Sequence, residues 1–476
     1  MQSNNKKFMR LILSVILFFS LCGPLRGHAA SPSYSKERPR GALIPYPTQQ
    51  EAWIADYNDN RYLSPLKKWA NEENTFKTSF TVPFAWTNRQ VLLRIDSATA
   101  AYEVRVNGRT VGYNHDCSLP AEFNITRAVA EGLNNLEIIL DKPSVTAPLE
   151  SWRPENEAPA LGKVAILSQP TMRIRDITTK TWRTRDDNDD TATAEVGVIV
   201  KSDALNPRTS RIHYELLTPD GTTAAAGHGD MTLDMRREDT LRFLVRIPDT
   251  LQWSPAHPVR YTLRLKTQHE GRYMEFLEEE IGFRTVEMRD GRPIINGAPA
   301  ELRICEVNPG ITEGEIMTLR IEGYNALQPL PGVVPESLYE ICDREGLYVI
   351  AQAPIDSRHS GQSRRKGGNP SNDTAWQEAI IERAAESYHT SKRHPSVIAF
   401  SLARNSANGI CLYEAYLHLK RLGDSRPVIY PEAAGEWDSD PLQLSPIEAP
   451  AAIFSAPPHT QEQQPLPQRH SKLRFR

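Results

Sequence analysis

The hydrophobic period of the chain changes near residue 285, and that change limits the fold more than any single motif. Upstream, apolar residues recur at every second position. Tyr102, Val104 and Val106 alternate with Glu103 and Arg105, and Asn107-Gly108 then leads into Arg109-Thr110-Val111. A period of two puts alternate side chains on one face of a pleated strand, and Asn-Gly supplies the two left-handed residues that a tight hairpin needs. Val91, Leu93 and Ile95 predict a further strand, as do Leu136, Ile138 and Leu140. Several short strands without a long helix predict a first β-sandwich over about residues 41–170.

The alternation continues from 171 to 284, in Val196, Val198 and Val200 and in Tyr261, Leu263 and Leu265. Leu241, Phe243, Val245 and Ile247 form another such run, and Ile212, Tyr214 and Leu216 lead into Pro219-Asp220-Gly221, a turn sequence. This spacing suits an immunoglobulin-like sandwich.

From about 285 to 440 short apolar runs alternate with helical stripes. Leu338, Ile341 and Cys342 keep helical spacing, and Gly346 follows as a stop. Trp376, Ile380, Ala384 and Tyr388 make a second stripe, with Thr374 and Gln377 placed to form a capping box. A third helix is expected from Cys411 to Leu422. Strands are expected near 301–305, 324–328, 347–351, 397–402 and 428–430. Alternating strands and helices predict parallel βα units, but a closed (β/α) barrel needs about eight strands. The expected fold class is therefore multidomain β plus α/β, with two sandwiches and a truncated barrel. Residues 441–476 hold seven prolines with Gln and Ser, and read as a disordered tail or as the product of a frameshift.

Lys6, Lys7 and Arg10 precede an apolar run from Leu11 to Leu21, and Gly27-His28-Ala29-Ala30 offers small residues for cleavage. The run is too short to span a bilayer, so residues 1–30 are expected to be a signal peptide and the protein to be secreted or periplasmic. The net charge of −3 lacks the basic footprint of a nucleic-acid-binding protein, and no membrane span is expected. The five cysteines, Cys22, Cys117, Cys305, Cys342 and Cys411, show no metal spacing and read as buried thiols, with one disulfide open as an alternative.

Three groups of motifs in register carry a family resemblance over about residues 50–440. The first is Val104 to Tyr113 with Pro120 to Thr126. The second is Trp253 to Pro258 with Gly282-Phe283-Arg284 and Ile295-Asn296-Gly297. The third is Tyr339 to Val349 with His394-Pro395-Ser396-Val397-Ile398 and Arg426-Pro427-Val428. Together they resemble glycoside hydrolase family 2, most closely its β-galactosidase branch. The resemblance implies a jelly-roll sugar-binding domain, an immunoglobulin-like domain and a catalytic (β/α)8 barrel. It also implies retaining hydrolysis by two glutamates with carboxyls about 5–5.5 Å apart.

The chain departs from that pattern where the chemistry should lie. The family's acid/base motif, Ser-Leu-Gly-Asn-Glu-Ser-Gly, reads Ser401-Leu402-Ala403-Arg404-Asn405-Ser406-Ala407, so Asn405 stands in for the glutamate and Arg404 for the asparagine before it. The seventh-strand nucleophile has no counterpart. The family's Asn-Arg-His-Glu-x-Asn-Pro aligns with Arg303 to Pro309, which keeps Glu306 and Asn308 but puts Cys305 at the histidine. The family's Mg²⁺-holding positions carry Asp356, Arg358 and Asn405, and a guanidinium offers a cation no lone pair, so neither metal nor cofactor is expected. In the first domain the sugar-contacting aspartate is deleted from Leu149-Glu150-Ser151-Trp152-Arg153.

Glu306, Asn308, Asp356 and Asn405 are the candidate remnant site, and Trp152 and Trp437 the candidate sugar-stacking rings. Glu432 and Glu436 read as ordinary loop acids, and Arg364-Arg365-Lys366 as a mobile loop. The expected function is a catalytically inactive homologue that binds carbohydrate or forms a complex, as a homo-oligomer or with an active glycosidase. The alternatives are an active enzyme on β-galactosides with a rewired site, and a decayed product whose open half-barrel exposes apolar strand faces.

Overall fold

The computed structural model describes residues 36–37, 63–154, 156–183, 191–365, 367–433, 436 and 439–442. The expected signal peptide, Trp437 and nearly all of the expected tail lie outside the described residues. Among the described residues no helix is long and apolar enough to cross a membrane.

The first sandwich packs a five-stranded antiparallel sheet, in the order 70–72, 75–82, 132–140, 102–106, 109–114, on a four-stranded one, 63–65, 164–169, 90–95, 121–124. Strand 102–106 shows why alternation suffices: Tyr102, Val104 and Val106 are fully buried while Glu103 and Arg105 lie nearer solvent. Asn107 and Gly108 take φ of 51° and 76°, the left-handed pair that the hairpin sequence predicted. The second sandwich sets strands 172–182, 191–202 and 238–248 against a sheet ordered 223–233, 208–217, 261–269, 272–281. Strand 223–233 escaped prediction because Ala, Gly and Thr fill it and most of it faces solvent.

A short meander (286–289, 292–295, 298–299) leads into a parallel sheet of five strands in sequential order. These are β1 (Ile304–Val307), β2 (Ala326–Pro329), β3 (Tyr348–Gln352), β4 (Val397–Ser401) and β5 (Val428–Ile429). Helices α1 (Glu313–Ile321), α2 (Glu336–Glu345), α3 (Gln377–Ser391) and α4 (Ile410–Arg421) fill the crossovers. The expected capping box at Thr374 and Gln377 does not form. Asp373 instead accepts from the Ala375 amide and starts a single 3₁₀ turn ahead of α3. A capping box does form at Thr312 and Glu315 of α1, where the sequence reading had not placed one.

Both faces of the parallel sheet are covered, which accounts for its unbroken apolar runs. Cys305, Leu327, Val349 and Val428 pack with residues of all four helices. Ile304, Ala326, Ile350, Ile398 and Ile429 pack with Trp253, Val286 and Ile295, and all five are at most 2% exposed. Among the described residues, then, the strand faces of the half-barrel are not bare.

Motifs of the second and third groups that carry the family resemblance converge on one seam beneath this sheet. The Trp253 indole donates to the Asp343 carbonyl at 2.8 Å, and Asn296 donates to the Trp253 carbonyl at 3.0 Å. The Asp343 carboxylate binds the His394 ring at 2.6 Å and the Ser396 amide at 2.9 Å. A Cβ on Gly346 (φ 71°) would fall 2.3 Å from the Pro255 carbonyl oxygen, so only glycine fits there.

The outer edge of β5 is closed by the chain itself. Val428 donates to the Asp440 carboxylate at 2.8 Å and accepts from the Asp440 amide at 2.8 Å, while Tyr430 donates to Ser439 Oγ at 2.9 Å. Tyr416 and Lys420 of α4 hold the same carboxylate at 2.7 and 2.8 Å. An unpaired strand edge invites association, and this cap blunts it. Asp440→Ala is expected to cost about 1–3 kcal/mol, the price of an orphaned donor, and to raise the oligomer fraction in light scattering. An unchanged melt and an unchanged mass distribution would count against the cap.

Glu275 joins the two sandwiches. It accepts from the Ile174 amide at 2.9 Å and from Gln169 Nε2 at 3.3 Å, and burial pushes its carboxyl up to about 7 from an ordinary 4.5. The folded state therefore holds the extra proton between those values, and this group's contribution is lost as pH rises through 7. Glu275→Gln is expected to match the native chain at pH near 5 and to melt higher above pH 8, with a ceiling on the order of 3 kcal/mol. Parallel melting curves at both pH values would refute the assignment.

Candidate functional site

The C-terminal ends of the five strands and the loops after them form the mouth of the half-barrel, where a barrel of this kind carries its chemistry. Glu306 lies one residue before the end of β1, Asp356 follows β3, Arg404 and Asn405 follow β4, and Glu432 follows β5. The fold thus brings together three of the four candidate remnant residues. Asn308 stands apart, exposed on the turn after β1, its carbonyl accepting from the Ile311 amide at 3.0 Å.

Arg404 is the hub. Its guanidinium pairs with Glu306 and has Nε 3.7 Å from Glu432. Asn405 sits in the left-handed region with φ of 51°, which asparagine tolerates better than most residues. Its backbone amide donates to Glu432 at 3.1 Å and its side-chain amide to Asp356 at 3.0 Å. Asp356 is fully buried, and Arg358 chelates it, with the backbone amide at 3.1 Å and Nε at 2.9 Å. Each carboxylate at the mouth is thus engaged by a donor. Arg364 pairs with Glu436 at 3.0 Å, and Asn408 donates to the same carboxylate at 2.8 Å. Arg364 and Glu436 therefore face each other across the mouth, which the loop reading of both had missed. No period or spacing in the sequence relates residues so far apart.

The donor set does not fit Mg²⁺. Arg358 occupies both oxygens of Asp356, and the Asn405 amide turns its NH₂ toward the same carboxylate, where a cation would need an oxygen lone pair.

The first sandwich reaches the mouth through Leu149-Glu150-Ser151. The Asp356 amide donates to the Leu149 carbonyl at 2.9 Å, and the Ser151 amide donates to the Asp356 carbonyl at 2.8 Å. Arg404 joins through its amide to the Ile355 carbonyl at 2.9 Å, so three loops run side by side. Trp152 follows directly. It is half-buried, and the Arg153 guanidinium lies 4.2 Å from its ring centroid, covering one face. Cys117, Cys305, Cys342 and Cys411 are buried free thiols.

This architecture has relatives. Family models for glycosyl hydrolases family 2 match the sugar-binding domain over residues 62–150, the central domain over 172–284 and the TIM barrel domain over 315–450. The chain belongs to glycoside hydrolase family 2. Within that family it falls in the β-galactosidase branch: it is 26% identical over 377 residues to the β-galactosidase of Psychromonas ingrahamii and 27% identical over 422 residues to that of Pectobacterium atrosepticum. These matches take in 76% and 83% of this chain but only 36% and 40% of the relatives. Solved structures of similar fold include a β-glucuronidase of Bacteroides uniformis (TM-score 0.63, 16% identity, 83% of this chain and 52% of that one). Another is a putative β-galactosidase of Bacteroides fragilis (TM-score 0.60, 14% identity, 75% and 55%).

Proposed function

We propose that the chain is a non-hydrolysing member of its family that binds carbohydrate, on its own or as part of a complex. One observation carries this reading: at the acid/base position, Asn405 donates its side-chain amide to Asp356 beside an arginine that spans Glu306 and Glu432. Retaining hydrolysis needs one carboxyl with a proton to give and another free to attack, about 5–5.5 Å apart. Here an amide replaces the acid, and guanidinium groups hold the nearby carboxylates. What remains is a rim of fixed donors and acceptors, and such groups suit sugar hydroxyls. Family membership supports carbohydrate as the ligand class. The basic and apolar run before residue 30 supports secretion or a periplasmic place.

Titration calorimetry with galactose-containing oligosaccharides, run beside a hydrolysis assay on activated aryl glycosides, tests the reading. Binding heat without turnover is expected. Turnover that disappears in Glu306→Gln or Asp356→Asn would overturn it and establish a rewired enzyme.

A further inference from the structure

A cleft of about 2020 Å³ runs between the two sandwiches, far in sequence from the strand ends of the half-barrel. Nine lysines and arginines line it against five carboxylates. The carboxylates are largely satisfied within the protein. Glu37 lies within reach of Arg173 and Lys201, at 3.3 and 2.5 Å, and Asp203 pairs with Arg173 at 2.6 Å. Asp230 pairs with Arg211 at 2.7 Å. Five arginines on the same walls, Arg109, Arg127, Arg208, Arg236 and Arg237, have no carboxylate within 4.0 Å among the described residues. Arg109, Arg127, Arg236 and Arg237 are also exposed.

This local excess of positive charge runs against the net charge of the chain. The chain has a net charge of −3, and Arg105, Arg260, Arg344 and Arg393 are each paired with a glutamate. Like charges lining one concave surface repel each other, and low-dielectric walls focus their field. Such a cleft is relieved by an anion that spans it. Its walls also present Asn88, Gln90, Asn124, Thr126 and Gln268, neutral groups able to exchange hydrogen bonds with hydroxyls.

We propose that this cleft binds an acidic polysaccharide, one whose sugar units carry sulfate or carboxylate groups. The arginines come from both sandwiches, so the ligand would bridge the domains. Arg109 and Arg127 lie on the first, and Arg208, Arg236 and Arg237 on the second. The choice of a glycan among polyanions rests on the carbohydrate-binding reading above, whereas the cleft's charge does not.

The test is affinity electrophoresis of the full chain through gels containing dextran sulfate, polygalacturonate or neutral dextran, with single-stranded DNA as a competitor. Two paired variants probe the walls: Arg109→Ala with Arg127→Ala, and Arg236→Gly with Arg237→Ala. Glycine at 236 suits the left-handed backbone there, φ 59°. Lys68→Ala with Arg421→Ala makes the same charge change at exposed residues outside the cleft.

Retardation by one or both acidic gels is expected, weakened about tenfold or more by either wall variant and by raised salt, and unchanged by the control pair. Dextran sulfate and polygalacturonate report separately on sulfate and carboxylate. No retardation in either acidic gel, or equal loss in the control pair, would overturn the proposal. So would complete displacement by DNA at matched charge, which would mark a general polyanion surface. Retardation by neutral dextran alone would remove the cleft proposal and leave carbohydrate binding standing.

Discussion

Activated aryl β-glycosides incubated with the chain are expected to stay intact, and the Asn405→Glu variant is expected to leave them intact as well. Restoring the acid alone returns at most the general-acid part of catalysis, about 10²–10⁴-fold, whereas glycosidases need several further orders of magnitude from a nucleophile and a preorganised site. The new carboxyl would also meet a hostile setting. It would lie against the Asp356 oxygen that now accepts from the Asn405 amide, and near Glu432, which accepts from the residue 405 backbone. Glutamate also tolerates a φ of 51° less well than asparagine. The variant should therefore melt lower than the native chain by about 1–3 kcal/mol, from a lost hydrogen bond and backbone strain. Turnover appearing in Asn405→Glu with no loss of stability would show that the mouth is already arranged for hydrolysis, and would reverse our reading of Arg404.

The second large effect is expected at Arg383, a fully buried arginine on α3 that fastens the half-barrel to the first sandwich. It donates to Glu150 at 2.5 Å, to the His115 carbonyl at 2.9 Å and to the Pro354 carbonyl at 3.3 Å, and lies 3.5 Å from Asp116. Burial alone would push the Glu150 carboxyl up, but Arg383 and Arg153 outweigh it and hold it below its usual range. Next to this cluster Lys36 binds Glu386 at 2.7 Å and Asn114 at 2.6 Å, so the seam is charged throughout. Removing one partner of a buried pair leaves the other charge uncompensated, which typically costs about 3–5 kcal/mol. Arg383→Ala should lower the main calorimetric transition or split it, with the first sandwich parting from the half-barrel. Arg383→Lys, which keeps the charge and loses the fork, should fall between. A melt unaffected by Arg383→Ala would mean that the seam is held by its apolar contacts alone.

The seam beneath the parallel sheet accounts for the second and third groups of motifs that the chain shares with its family. Trp253, Asn296, Asp343, Gly346 and His394 meet beneath the sheet, and a change to one would strand a buried donor, acceptor or backbone contact of another. At the mouth, Arg404 pairs with Glu306 and Arg358 with Asp356. Mouth side chains can exchange partners without unpacking a core, so the mouth can vary while the scaffold stays intact.

Sequence by itself determined the order of layers and most strands. Period two and period 3.6 are local properties, read within a few residues of one another. Even there, β1 and β2 begin two or three residues later than the apolar runs suggest, because Leu302 and Tyr324 are buried before the ladder starts. Asn405 at the position of the family's acid was also legible, since it needed only a motif and one differing residue. Tertiary structure alone decided which charges meet. Arg404 lies 98 positions from Glu306, Arg383 lies 233 from Glu150, and the arginines of the interdomain cleft come from two domains. Pairing at such range depends on where the folded backbone delivers each loop, and a charged side chain in a loop leaves no periodic trace of its partner.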